Sequence, residues 1–426
     1  MTYEESLAYI SKLGRFGMKL GTERTRAILD HLGKPERRLE GALIAGTNGK
    51  GSTAACLASI LRVAGHNVGF MPKPHLISYT ERIQVNGVPI SEQDFVRVLE
   101  DLKPALDAVG LETGQATEFE ILTAMAIAYL APRIDRLVCE VGLGGRLDAT
   151  NALDLGIALI TNVDLDHQKY LGDTIEKIAH EKAAIIKPGN QVITGCEGVA
   201  LEIVEEHARQ AGSSLWRLGR EITVSSTPKG WDGHDLDVSV GGHEYSELSL
   251  PLVGDYQPAN AALAVAAAVA LGDATDHSVR DGLASTLWPG RLQLVSTRPR
   301  VILDGGHNPA AMTKSGAALR RLIGKERLVA VFAMLSERDP NQLLAALRKV
   351  EPDAAVFTEP GSAGGHAIPA EQLASIYGSG GSAATPASAA LERAKDLAGA
   401  GGNVLVCGSL YLVGEILAQT REIGGR

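Results

Sequence analysis

Residues 46–53 read Gly-Thr-Asn-Gly-Lys-Gly-Ser-Thr, directly after the apolar run Ala42-Leu43-Ile44-Ala45 and directly before a helical pattern over Ala54–Ala64. A short buried strand thus turns through glycines into a helix. Glycines let backbone N–H groups crowd around a polyphosphate, and the helix N-terminus adds partial positive charge. Lys50 has the reach for terminal phosphates, and the hydroxyl of Ser52 or Thr53 can ligate Mg2+. The segment therefore reads as a nucleoside-triphosphate site built from Gly46, Thr47, Asn48, Gly49, Lys50, Gly51, Ser52 and Thr53. It departs from the standard phosphate loop, because Ile44 stands at the first glycine position and Gly51 separates Lys50 from Ser52. An ordinary tight glycine turn between strand and helix is the competing reading of this segment alone.

The chain is 426 residues long, beyond the size at which single cores stop growing, so two domains are expected. Its 41 Lys and Arg against 50 Asp and Glu give a net charge of −9. No Lys/Arg run suggests the basic face that a nucleic-acid binder shows, so no nucleic-acid partner is expected. Cys56, Cys139, Cys196 and Cys407 form no Cys-x-x-Cys pair, and each lies in or near an apolar segment. They read as buried free thiols in a reducing compartment. The opening Met-Thr-Tyr-Glu-Glu-Ser lacks the basic and apolar regions of a signal peptide. No apolar stretch approaches the roughly 18 residues of a membrane span. The expectation is a cytoplasmic protein without a membrane partner.

Val- and Ile-rich runs alternate with helical patterns. Strands are predicted at Ala42–Ala45, Asn67–Phe70, Arg136–Val141, Gly156–Asn162 and Gln191–Thr194, and helices at Ser91–Val109, Thr117–Ala131, Thr174–Ile186 and Pro258–Leu271. That alternation argues for a parallel sheet covered on both faces. Residues 217–250 are polar and rich in turn signals, and read as a small antiparallel appendage. Trp288-Pro289-Gly290-Arg291 reads as a linker, after which the alternation restarts. Predicted there are strands at Val301–Leu303, Leu328–Ala333, Ala354–Thr358 and Val404–Cys407, with helices between, while Gly361–Gly365 and Gly378–Ala383 read as loops. Pro369 and Pro386 suit first helical positions. The fold expected is α/β: a P-loop-type doubly wound, mostly parallel sheet over 1–287 with the appendage at 217–250, a linker at 288–297, and a second, smaller Rossmann-like α/β domain over 298–426.

Ligands of an open parallel sheet bind outside the carboxyl ends of its strands, and three motifs stand at such ends. The first is the glycine-rich loop. The second is residues 139–151, with Glu140 near a strand end, then a glycine turn, Arg146 and Asp148. The third is Thr161-Asn162-Val163-Asp164-Leu165-Asp166-His167. Glu140 can supply a hard oxygen ligand for Mg2+, which keeps several waters and a substrate phosphate. It can equally be a buried paired carboxylate. His167 can be a ligand or an ordinary satisfied imidazole, since Mg2+ prefers oxygen.

The segments AGTNGKGST at Ala45–Thr53, EVGLGGRLDATN at Glu140–Asn151 and DLDHQKYLG at Asp164–Gly172 resemble the folylpolyglutamate synthase/dihydrofolate synthase family. So do EKAAIIKP at Glu181–Pro188, WPGR at Trp288–Arg291, LDGGHNP at Leu303–Pro309 and GSLYLVGE at Gly408–Glu415. The related Mur ligases carry a similar loop, typically with Lys followed directly by Thr; Gly51 favours the folate branch. The resemblance implies an ATP- and Mg2+-dependent amide ligase. It joins L-glutamate to dihydropteroate and to folates through an acyl phosphate. A monomer is expected, though nothing in the resemblance sets the oligomeric state. It implies that Ser52, Glu140 and His167 are metal-site residues, and that Lys182, carbamylated, serves a second cation. Lys50, Lys182 and His307 become the candidate catalytic residues. Gln257, Asn260, Arg291 and Asp304 match residues that contact ATP. Standing alone, Lys182 would be read as an exposed helix lysine beside Glu181.

Two positions depart from the family pattern: Tyr256 precedes Gln257 where the family usually has His, and Lys73 stands in Met71-Pro72-Lys73-Pro74-His75-Leu76 where the family shows a small hydroxyl. Lys73 is expected either to pair with a substrate carboxylate or to point to solvent. Other readings of the whole chain are a Mur-type peptide ligase acting on another carboxylate, and a nucleotide-binding regulatory protein without turnover.

Overall fold

The computed structural model describes residues 1–14 and 21–424. The chain divides into two units, one of Met1–Ser226, Asp235–Leu250 and Pro258–Thr286, the other of Thr227–His234, Pro251–Gln257 and Leu287–Arg426.

The first unit is built on an eight-stranded sheet: β1 (Gly41–Ala45), β2 (Val68–Met71), β3 (Gln84–Val85), β4 (Val88–Pro89), β5 (Arg136–Glu140), β6 (Gly156–Ile160), β7 (Gln191–Thr194) and β8 (Ser214–Arg217), in the order 4-3-2-5-1-6-7-8. From β2 to β8 the strands in that order run parallel, while β3 and β4 add an antiparallel edge. Central β1 is buried along its whole length, as are all but the first residues of β5 and β6. Burial on both faces explains why these strands read as unbroken apolar runs rather than alternating ones.

The helix Glu118–Leu130 lies inside the core and is buried around almost its whole circumference. Its start is fixed by a capping box between Thr117 and Glu120. Glu120 is buried and is paired with Arg24 at 2.9 Å, which ties the helix Glu23–His31 to the core. A smaller sheet follows, β9 (Ile222–Pro228), β10 (His234–Val240) and β11 (His243–Leu250), in the order 11-10-9. Gly241 and Gly242, both at positive φ, turn β10 into β11 as a hairpin.

The second unit has six strands, β12 (Gln293–Thr297), β13 (Arg300–Leu303), β14 (Leu328–Phe332), β15 (Ala354–Phe357), β16 (Gly381–Ala383) and β17 (Asn403–Cys407), in the order 12-13-17-14-15-16. All are parallel except β12, which runs antiparallel to β13. Its core is centred on residues such as Phe332, Phe357, Leu344 and Leu319.

Several expectations are corrected. The helix after the glycine loop begins at Lys50, not Ala54. Gly51 weakens the helical pattern there, and the first turn is held by tertiary contacts described below. The segment 378–383, expected as a loop, contains β16; the strand is three small residues at a sheet edge, too short for a periodic signal. The expected linker contains β12. Pro369 and Pro386 occupy N-cap positions, one residue earlier than expected. The helices Tyr3–Gly14 and Glu23–His31 and the strands β3, β4 and β8 carry no pattern that the periodicity marked. The four cysteines are free and buried. No helix of the described residues is long and apolar enough to cross a membrane.

Candidate active site

The glycine-rich loop leaves β1 at Ala45 and enters the helix Lys50–Val63, with Gly49 as the left-handed cap residue (φ 84°). Gly49 is required twice over, because a Cβ there would come 2.4 Å from Asn260 Oδ1. Gly46 (φ 148°) is more crowded still: its Cβ would lie 1.9 Å from Thr161 Oγ1. The loop is stapled to the residues after β6. Thr161 Oγ1 and Asn162 Nδ2 both donate to Asn48 O (2.7 and 2.9 Å), and Asn48 N–H donates to Asn162 Oδ1 (3.0 Å). Thr47 Oγ1 donates to Asp164 O (3.1 Å) and accepts from Asp164 N–H (3.0 Å). The loop is thereby fixed before any ligand arrives, and Ser52 and Thr53 are buried in the first helical turn.

Lys50 folds back over this loop, donating to Gly46 O (3.0 Å) and Thr47 O (3.1 Å). Lys182 reaches the same carbonyl from the helix Ile175–Ala183, donating to Gly46 O at 2.8 Å. It is buried, which overturns its reading as an exposed helix lysine. Burial, with Lys50 as a second cation on one oxygen, pushes the Lys182 amine down to about 7, against the pull of Asp166. The helix is held by the glycine turn of the second motif. Gly145 abuts Glu181 O so closely that a Cβ would lie 2.5 Å away, Arg146 N–H donates to Glu181 O (2.8 Å), and the Arg146 guanidinium pairs with the Glu181 carboxylate (2.8 Å).

Glu140 ends β5 in register with Ile44 of β1 and is buried. Its Oε2 accepts from Lys73 N–H at 3.0 Å. The following turn closes on Asp148, whose Oδ2 accepts from Gly142 N–H (3.0 Å) and Leu143 N–H (2.9 Å) and whose Oδ1 accepts from Thr150 N–H (2.9 Å). Asp148→Ala would take the acceptor away from these three backbone amides, that of Thr150 buried, and urea unfolding is expected to show a loss of about 3 kcal/mol, with a smaller loss for Asp148→Asn. Lys73 does not point to solvent as one expectation had it. Its Nζ is buried 3.7 Å from the centroid of the Phe119 ring. His167 is a left-handed residue (φ 49°) with a 40% exposed side chain; its N–H donates to Asp166 Oδ1 (2.8 Å).

The three strand-end motifs therefore meet around Gly46, Lys50 and Lys182 in the first unit, with Glu140 at the end of β5 beside β1. Asn260 joins them through its approach to Gly49, three residues after the buried Gln257. Arg291, Asp304 and His307 gather separately in the second unit. Asp304 is buried and accepts from Leu292 N–H (3.1 Å) and Gly306 N–H (3.0 Å), and burial raises its carboxyl above the usual range. Arg291 donates to Gly290 O (2.9 Å) and occupies space that only glycine at 305 leaves open. His307 Nδ1 donates to Gly305 O (2.8 Å), which turns the Nε2 edge of the ring away from that carbonyl. A residue that sequence reasoning did not single out is Phe119, under Lys73; Thr161 opens the third motif, though the sequence does not show its role at the loop.

The Mur ligase middle domain matches residues 44–268, and the Mur ligase glutamate ligase domain matches residues 290–410. The dihydrofolate synthase/folylpolyglutamate synthase of Escherichia coli strain K12 is 36% identical over 424 residues, spanning 99% of this chain and 96% of that protein. A Mycobacterium tuberculosis folylpolyglutamate synthase structure, complexed with ADP and AMPPCP, is similar with a TM-score of 0.91 at 31% identity, over 100% of this chain and 99% of that one. E. coli FolC in complex with DHPP and ADP gives a TM-score of 0.90 at 34% identity, over 99% and 98%. The chain belongs to the dihydrofolate synthase/folylpolyglutamate synthase family of Mur ligases, ATP-dependent enzymes that form carbon–nitrogen bonds.

Proposed function

We propose that this protein adds L-glutamate to dihydropteroate and to folates, as a monomer in the cytoplasm. The observation that carries the reading is the pair of lysines, Lys50 and Lys182, converging on the Gly46 carbonyl of a preformed phosphate loop, with a buried carboxylate, Glu140, at the end of the neighbouring strand. In this reaction a substrate carboxylate attacks the γ-phosphorus of ATP and ADP leaves, giving an acyl phosphate. The amine of L-glutamate then attacks the activated carbonyl, and phosphate departs with loss of an amine proton. Negative charge on the transferring phosphoryl group has to be met by fixed positive groups. The loop amides and Lys50 supply these, Lys50 exchanging its two carbonyl partners for phosphate oxygens.

Among the described residues no three His, Cys, Asp or Glu side chains converge as a ready-made cage. That suits Mg2+, which is held by one or two carboxylates together with substrate phosphates and water. Glu140, the Ser52 hydroxyl and His167 are the residues assigned to it. When bound, the ion neutralises charge on the phosphates. Lys182, with its amine lowered to about 7, is assigned as the lysine that adds CO2 at its neutral nitrogen and sheds a proton, becoming a carboxylate for a second cation. Gln257, Asn260, Arg291 and Asp304 are assigned to the nucleotide, and His307, through its Nε2, to the amine step.

The test is ADP release by the purified protein with ATP, Mg2+ and L-glutamate, with dihydropteroate or a reduced folate as acceptor. Glutamate-dependent ADP release is expected with both. No turnover with either acceptor would defeat the reading; turnover with UDP-linked peptides would favour a Mur-type ligase, and ATP binding without turnover a regulatory protein.

A further inference from the structure

The short turn Tyr79–Arg82 closes on Arg82, two residues before Gln84, which pairs with Phe70 near the end of β2. Arg82 therefore stands at the carboxyl end of a parallel strand, the edge of the sheet where ligands bind. Its Nε–H donates to His75 Nδ1 at 2.8 Å, and its guanidinium carbon lies 5.0 Å from the centroid of the Tyr79 ring. His75 packs against the same ring, 4.3 Å between centroids. Tyr79 is fixed in turn by its hydroxyl, which donates to Glu118 Oε1 (3.0 Å).

A ring nitrogen that accepts a hydrogen bond carries no proton, so His75 is uncharged; burial and the Arg82 charge push it down to about 3. The guanidinium is thus held by two neutral rings, and Nη1 and Nη2 donate to no group among the described residues. The Glu81 carboxylate is taken up by the amides of Leu76, Ile77 and Ser78. Other half-buried arginines of this unit end on carboxylates: Arg24 on Glu120, Arg136 on Asp273, and Arg217 on Glu205 and Glu221. Arginine always carries its charge, and its fork matches a carboxylate with two parallel hydrogen bonds.

We infer that the Arg82 fork recognises a second carboxylate on the acceptor, the α-carboxylate of a folate's glutamyl group, which dihydropteroate does not have. This deepens the function proposed above and rests on it. With a folate the γ-carboxyl is activated, and the α-carboxylate needs a cation that takes no part in phosphoryl transfer. Arg82 thereby shifts the balance between the two activities towards folates. An arginine that merely held His75 and Tyr79 in place would affect both acceptors alike.

The experiment is calorimetric binding to the full chain at saturating ADP and Mg2+, with L-glutamate omitted so that the incoming amino acid does not contribute. One ligand is a reduced folate monoglutamate. The other is its counterpart with γ-aminobutyrate in place of glutamate, which lacks only the α-carboxylate. Both are measured on the unmodified protein, Arg82→Gln and Arg82→Lys, each checked for folding by thermal unfolding. The unmodified protein is expected to bind the folate at least about tenfold more tightly than its counterpart. Arg82→Gln should lose that preference, and Arg82→Lys should keep part of it, having the charge without the fork. If Arg82→Gln does not fold, the reduced preference of Arg82→Lys carries the test. The same preference in the folded variants as in the unmodified protein, or none in the unmodified protein, overturns the inference. If the unmodified protein binds ADP but neither ligand, the assignment of folates as acceptors falls, and the inference with it.

Discussion

Lys50→Ala is expected to reduce ADP formation by at least about 10^3-fold while the protein stays folded. The Lys50 ammonium bridges Gly46 O and Thr47 O, so it stands over the loop where phosphates would lie. Alanine is a good first-turn helix residue, and the loop keeps its hydrogen bonds to Thr161, Asn162 and Asp164 without the lysine. Initial-rate measurement of ADP release, paired with circular dichroism and a melting curve, separates loss of chemistry from loss of fold. Rates near those of the unmodified protein would refute the phosphate-loop assignment.

Lys182→Met is expected to lower turnover by at least about 10^2-fold. It should also change how activity and stability respond to pH. In the folded protein the Lys182 amine sits at about 7, below its usual 10.5. Between those values the unfolded chain binds a proton that the folded chain does not, so this group makes stability rise with pH across that window; below about 7 both states bind it and the slope vanishes. Urea unfolding at pH 7 and pH 9 in CO2-depleted buffer, where Lys182 keeps its free amine, should therefore show a steeper pH gain for the unmodified protein than for Lys182→Met. Equal gains would show that Lys182 is not the titrating group. Because CO2 adds only to the neutral amine, bicarbonate should stimulate activity more above pH 7 than below it in CO2-depleted buffer. An absence of bicarbonate dependence would argue against carbamylation.

The glycine loop, the acidic strand end at Glu140 and the Asp164–His167 segment were all visible along the chain because each marks a strand terminus, a local event. Short apolar runs bounded by glycine located β1, β5 and β6 to within two residues for the same reason. Local pattern failed where an element has too few residues to show a period, as in β3, β4 and β16. It also failed at the helix start, where Gly51 argues against the turn that stapling of the loop to Thr161 and Asn162 enforces.

The sequence by itself determined which side chains are present at the carboxyl ends of the strands, and hence the phosphate-binding chemistry and the family. Their environments were decided by tertiary structure. Nothing in Glu181-Lys182-Ala183-Ala184 says that Lys182 is buried against Gly46 beside Lys50, and nothing in Pro72-Lys73-Pro74 says that Lys73 lies inward over Phe119. Residue identity is a property of one position. Burial, and the field that sets a buried lysine's charge, comes from segments distant along the chain, 136 residues away for Lys182 and 67 for Lys73 and Glu140.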